Sequence, residues 1–382
     1  MKLIATLGST PLKDKPFSYQ IENEIYKEFL AFKAVQRHYE ILDKDVTIFG
    51  TKETLSKLGN EIKHHKFENI DDIQKSEGFS DNQLAFYMFE HIFNDKEDDF
   101  ILDITQGFRH YPISIFSSIL LSKNYNPQAI YYAKTTDENA QEFKFIDLLE
   151  TIYSSNLIIL INTFIKTGGV PEFGKTNGDM DKLYPFLKKL GNELSLNQYL
   201  TAINSAKHIE KIIDSLRDKF KFLDKNFNEL TKDLKQISSL ENKSEYIQLI
   251  EFAQFALDKN LLVQAMQFLI EAILAYLDQK LQEKYPNTLV GVKKLNITKN
   301  TRKTSQDIYK IRSAIKSDIL YKKTINKQKY QAIFGTNLLN LLINLRDIDI
   351  KRNDISHPNF KNTGISASLV YKYISDFKKM VL

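Results

Sequence analysis

The chain changes character once, near Asp147, and that change limits its fold more than any other feature. Before it, short apolar runs alternate with segments whose apolar residues recur at helical spacing. After it, strand-like runs disappear. An α/β part followed by an all-α part is the architecture such a pattern predicts.

Within the first part, Lys2 to Leu7 reads as a strand that stops at Gly8-Ser9-Thr10-Pro11. Ile21, Ile25, Phe29, Phe32 and Val35 then recur at helical spacing, so strand, polar loop and helix are expected in that order. Asp45 to Gly50 predicts a second strand, with Thr51 as the N-cap of a short helix, and residues 62–67 a third. A helix is expected around Gln83 to Phe93. Phe100 to Thr105 is the clearest strand; it runs into Gln106-Gly107-Phe108-Arg109-His110-Tyr111-Pro112 and a helix through Leu121. Ala129 to Ala133 and Phe143 to Ile146 complete the set. Strands alternating with helices imply a parallel sheet covered on both faces, with ligands at the carboxyl ends of its strands where the strand order reverses. Both polar loops are expected to emerge at that edge.

Beyond Asp147, Glu150 to Lys166 predicts a helix, and a loop with Gly168, Gly169, Pro171, Gly174 and Gly178 is a candidate hinge. Tyr184 to about Leu240 reads as mostly helical. A further block begins near Glu245, with helices expected over 247–256, 261–281, 308–315, 334–355 and 367–381 and a polar stretch from Pro286 to Lys303.

Composition narrows the function classes. Charged residues at 26% and apolar residues at 42% belong to a folded globular protein, and neither a disordered chain nor a fibre fits. With no cysteine there is no disulfide framework and no thiolate metal site, which suits a cytoplasmic protein. The most apolar run, Leu157 to Ile165, is too short to span a bilayer, so no membrane is expected among its partners. A net charge of +5 permits contact with nucleic acid without arguing for it.

Three segments carry chemistry. Gly8-Ser9-Thr10 offers amides and hydroxyls ahead of an expected helix N-terminus, which suits a phosphate, although neither the Gly-x-x-x-x-Gly-Lys-Ser/Thr nor the Gly-x-Gly-x-x-Gly pattern is present. In Asp103-Ile104-Thr105-Gln106-Gly107-Phe108-Arg109, Gly107 allows close backbone approach, Thr105 and Gln106 exchange hydrogen bonds, and Arg109 offers a fork for phosphate. Asp103 accepts only, so it suits ribose hydroxyls or loop amides. Two such loops at one sheet edge point to a nucleotide ligand. Near the end, Arg352-Asn353-Asp354-Ile355-Ser356-His357-Pro358 joins a fixed cation to an imidazole that titrates near neutrality. Residues five apart on a helix are separated by roughly 140°, so Arg352 and His357 of one chain do not stack, and one chain alone does not bring them together. Metal ligation is not expected: His64-His65 reads as a surface pair, and His38, His91, His110 and His208 lack ligand-spaced partners.

The segment Asp103 to Arg109 resembles the Asp-x-Thr-His-Gly signature of CRISPR-associated Rossmann-fold (CARF) sensor domains. Arg352-Asn353 through His357 is similar to the Arg-polar-x-x-x-His motif of HEPN ribonuclease domains. The order, CARF then HEPN, is that of the type III CRISPR accessory ribonucleases, and the resemblance covers essentially the whole chain. It implies a ligand-sensing domain over residues 1–150, a helical connector over 151–240 and a ribonuclease domain over 241–382. It also implies a homodimer, or a higher oligomer built on it, whose paired sensor domains bind one cyclic oligoadenylate of four or six units as allosteric activator, with no other cofactor. Gly8, Ser9, Thr10, Asp103, Thr105, Gln106, Gly107 and Arg109 are the ligand-binding residues on this reading. Arg352 and His357, with Asn353 positioning one of them, are the catalytic residues for cutting single-stranded RNA in antiviral defence.

One departure is visible. Gln106 stands where the signature has His, and it can hydrogen-bond but cannot become charged. Two alternatives keep the sensor and change the outcome. In one, the helical part binds RNA or a partner without cutting. In the other, Thr10, Thr105 or Arg109 serves degradation of the cyclic messenger itself.

Overall fold

A computed structural model describes residues 1–8, 14–78, 83, 99–107, 127–137, 141–173, 178–284, 331, 336, 340, 343, 347–350 and 366–382. The chain divides into two compact units: Met1–Ile159 with Glu172–Met180, and Leu160–Pro171 with Asp181–Leu382.

The first unit is built on one sheet. Its strands are β1 (Lys2–Thr6), β2 (Phe17–Ile21), β3 (Glu24–Glu28), β4 (Val46–Gly50), β5 (Lys66–Asn69), β6 (Phe100–Asp103), β7 (Pro127–Asp137) and β8 (Glu142–Asp147). They lie in the order β3-β2-β8-β7-β6-β1-β4-β5. From β5 to β7 the neighbours run parallel. β2 pairs with β3, and β7 with β8, in antiparallel fashion, while β2 and β8 run parallel. The sheet is therefore mixed, and the expected parallel sheet is only the part from β7 to the β5 edge.

The difference has a local cause. Ile21 and Ile25 are spaced like one helix face, but Glu22 adopts a positive φ of 52°, a left-handed turn conformation, and reverses the chain into a hairpin. Tyr19 and Ile21 then point into the core while Ile25 is exposed, which is strand alternation rather than a helical face. The helix begins only at α1 (Ala31–His38), whose Ala31, Phe32, Ala34 and Val35 are buried against Leu3, Ala5, Tyr19, Ile48 and Ile101. α2 (Lys52–Ile62) starts where its cap predicts: Thr51 Oγ1 accepts from the Thr54 amide at 3.2 Å, and Thr54 Oγ1 accepts from the Thr51 amide. α3 (Ile70–Glu77) follows β5 and ends on Gly78, at φ 68°.

The second unit is helical. α4 (Leu149–Thr167) supplies it with buried Leu160, Ile161 and Phe164. α5 (Asp179–Ser195), α6 (Tyr199–Arg217), α7 (Asp224–Ser238), α8 (Glu245–Asp258), α9 (Leu262–Lys284) and α10 (Ala367–Val381) follow. α6 packs on α7, α8 on α9, and α10 on both α8 and α9. Phe227, Phe252, Phe255, Phe268 and Phe377 are fully buried, each stabilising by about 1.5–3 kcal/mol. Charged groups are also taken inside, Lys259 among them. Lys259 ion-pairs with Asp233 and donates to the Ile165 carbonyl of the last turn of α4 at 2.5 Å. Gly168, at φ 66°, closes that turn by donating from its amide to Phe164. Among the described residues no helix is long and apolar enough to cross a membrane.

Candidate functional site

The strand order reverses at β1. After β1 the chain first makes the β2–β3 hairpin at the far edge of the sheet; it then lays β4 and β5 on one side of β1 and returns to the other side as β6. Register pairs Ala5 with Asp103 across β1 and β6, so the loops leaving these two strands stand side by side at the carboxyl edge. A Cβ built on Gly8 would lie 3.7 Å from Gly107 Cα, which measures how closely the loops approach. This is the reversal point at which parallel sheets bind their ligands.

Asp103 organises the second loop from beneath. It is fully buried, and its Oδ1 accepts from the Thr105 amide at 2.9 Å. Burial pushes its pKa up to about 6, opposed by the hydrogen bonds from Thr105. It thus holds a loop amide, one of the two roles open to it. Its Oδ2 finds no hydrogen-bond partner among the described residues. Thr105 Oγ1 accepts from the Ala133 amide of β7 at 2.9 Å, tying the loop to the neighbouring strand. Gly107, at φ 155°, lies over Thr6; a Cβ there would come within 2.9 Å of Thr6 Oγ1 and 3.0 Å of Thr6 Cβ. Glycine is required at this position both by the backbone angle and by the space.

The helix terminus at this edge is not the one expected. The chain beyond Gly8 enters β2 rather than a helix. It is α1 whose N-terminus meets the site: the Ala31 amide donates to Gln106 Oε1 at 3.4 Å, and Leu30, the N-cap, offers no side-chain cap. Gln106 stands at the positive end of an eight-residue helix, where anions are favoured.

Gly8, Thr105, Gln106 and Gly107 are half-buried around this point, with Asp103 beneath them. Ser9, Thr10 and Arg109 lie outside the described residues, as do Arg352, Asn353 and His357. The chain just before the last three is described: residues 347–350 are helical, Ile348 is fully buried, and Tyr373 of α10 donates from its hydroxyl to Asp347. Sequence reading missed Thr6, whose buried Oγ1 has no hydrogen-bond partner among the described residues; a polar residue inside an apolar strand was the available signal. It also missed the α1 terminus, hidden by the misread hairpin.

The pair His64-His65 is corrected in part. It lies in the turn before β5, not on a strand; His64 is exposed, but the His65 side chain is buried edge-on against Phe32, with Nε2 3.1 Å from Gln36 Oε1. Burial lowers the His65 pKa, opposed chiefly by Asp43. Among the described residues no group of three or more His, Asp or Glu side chains is placed to hold a metal ion.

The described groups of the two loops are amides, a hydroxyl, a carboxamide and one buried carboxylate. They suit recognition of a polar, phosphate-bearing ligand more than bond cleavage. The fold and edge define an α/β unit with paired loops at its reversal point, joined in sequence to a helical unit. Neither protein-family models nor curated proteins gave a match to the chain.

Proposed function

We propose that the protein is a metal-independent endoribonuclease of the CARF–HEPN type, switched on by a cyclic oligoadenylate and acting on single-stranded RNA. The observation that carries the reading is the meeting of Gly8 with Asp103-Ile104-Thr105-Gln106-Gly107 at the β1–β6 reversal point, beside the α1 N-terminus. Amides and a helix terminus favour the phosphates, and Thr105 and Gln106 are available to base or ribose edges.

A homodimer answers the spacing of the catalytic pair. Two-fold symmetry presents the same loops twice to a cyclic ligand of even symmetry, and it supplies two copies of Arg352 and His357 to one composite site. There the RNA 2′-hydroxyl attacks the adjacent phosphate, leaving a 2′,3′-cyclic phosphate and a 5′-hydroxyl. His357 transfers the proton, Arg352 stabilises charge developing on the phosphate oxygens, and Asn353 positions one of them. Incubating the chain with labelled RNA, with and without cyclic tetra- or hexa-adenylate, tests this. Activator-dependent cuts ending in 2′,3′-cyclic phosphate are expected, with loss of about 100-fold or more in His357→Ala. Full cleavage by that variant would overturn the assignment.

A further inference from the structure

The second unit carries a cleft whose lining includes no described residue of the proposed sites. It has a volume of about 440 Å³, within the usual range for small-ligand sites, and is lined by Tyr184, Pro185, Lys188, Lys189, Asn192, Glu193 and Gln198. All but Gln198 belong to α5, so successive turns of one helix form its wall.

Two kinds of chemistry meet there. Lys188 and Lys189 bring positive charge; Lys189 is exposed, and the Lys188 ammonium lies 5.6 Å from the Tyr184 ring centre and 3.5 Å from its hydroxyl. Beside them Glu193 is only 4% exposed. Its Oε1 lies 3.8 Å from Lys189 Nζ, too long for a hydrogen bond, and its buried Oε2 has no hydrogen-bond partner among the described residues. A buried carboxylate oxygen without a donor is costly. The group that meets it must donate. A second cation is disfavoured by the two neighbouring lysines, which leaves a neutral hydroxyl or amine carried by a ligand that is anionic elsewhere.

A ribonucleotide has that combination: a phosphate, and a ribose hydroxyl a few bonds away. We propose that this cleft is a ribonucleotide subsite, with backbone phosphate on Lys188 and Lys189 and a 2′-hydroxyl donating to the Glu193 carboxylate, so that it tells RNA from DNA. The choice of an RNA strand over a free nucleotide rests on the ribonuclease reading; the chemistry of the cleft does not.

The test is equilibrium binding of the full chain, without activator, to a fluorescent single-stranded RNA, to the DNA of the same sequence and to AMP. Wild type should prefer RNA over DNA, and Glu193→Gln should lower RNA affinity roughly tenfold, as expected for losing a hydrogen bond to a charged acceptor, while leaving DNA unchanged. The double variant of Lys188→Ala and Lys189→Ala should weaken both, and lower the slope of log affinity against log salt by about 0.7 for each phosphate no longer neutralised. Lys189 is exposed and Lys188 only half-buried, so that arm holds even where the buried substitution impairs folding. Equal affinity of wild type for RNA and DNA, or binding of AMP without RNA, would overturn the proposal, as would lysine variants with unaltered binding. RNA preference erased by Glu193→Gln in a chain that cuts no RNA with any activator would uphold the subsite and remove the ribonuclease reading. Activator-dependent cleavage without any RNA preference would do the reverse.

Discussion

The carboxyl edge of the sheet and the cleft along α5, the two surfaces proposed to recognise ligands, are made in opposite ways. At the edge the backbone does the work: Gly8 and Gly107 approach closely, the buried Asp103 fixes the Thr105 amide, and a helix terminus faces Gln106. In the cleft, side chains on one helix do it, two lysines and a buried glutamate. A backbone-built site is part of the fold and is perturbed together with it. A side-chain-built site can be altered while the helix that carries it stays intact. Substitutions at the edge should therefore move stability and ligand response together, whereas substitutions of the cleft lysines should move binding alone.

The largest effect expected is on pH dependence at the edge. Asp103 titrates near 6 in the folded chain against an ordinary 3.8. The folded state therefore holds the proton more tightly, and the contribution is fully present below about pH 4 and is lost as pH rises through about 6. The difference is on the order of 3 kcal/mol. Asp103→Asn keeps an acceptor for Thr105 but removes the titration, so urea unfolding at pH 4, 5, 6 and 7 should show its stability curve diverging from wild type by about that amount over the window. Parallel curves would contradict the burial argument.

A smaller effect separates the two glycines. Gly107→Ala forces a Cβ against Thr6 and should cost roughly 1–3 kcal/mol and weaken activator binding, whereas a Cβ at Gly8 meets only ordinary contacts, so Gly8→Ala should cost under about 1 kcal/mol. Equal costs measured by denaturant unfolding would break the claim that the edge is held at Gly107. Smallest of all, Lys188→Ala and Lys189→Ala should each stay within about 0.5 kcal/mol of wild type and leave the activator response unchanged. A shift in activator midpoint would blur the contrast between the two surfaces.

Much of the edge was legible in sequence because strands and their loops are local. Leu3, Ala5 and Ile101 announce strands, and Gly8 and Asp103 to Gly107 announce polar loops at their ends. What was not legible depends on distant pairing. Ile21 and Ile25 fit a helix as well as a hairpin until Glu22 is seen in the left-handed region. That β7 and β8 pair in antiparallel fashion was not signalled by their apolar runs, which is why the sheet read as wholly parallel. The burial of His65 depends on Phe32 and Gln36, some thirty residues away in the numbering. The cleft was hidden for another reason: Lys188, Lys189 and Asn192 have the spacing of any solvated helix face, and only the burial of Glu193 sets them apart.

The central claim is that a ligand at the sheet edge governs cutting of RNA by Arg352 and His357. The most direct measurement is the initial rate of RNA cleavage by the wild-type chain, titrated with cyclic tetra-adenylate and, separately, with cyclic hexa-adenylate. One of the two rings should raise the rate from a low baseline to saturation, and Gly107→Ala should move the midpoint to higher concentration. A rate independent of both rings, or no cleavage at any concentration of either, would contradict the account.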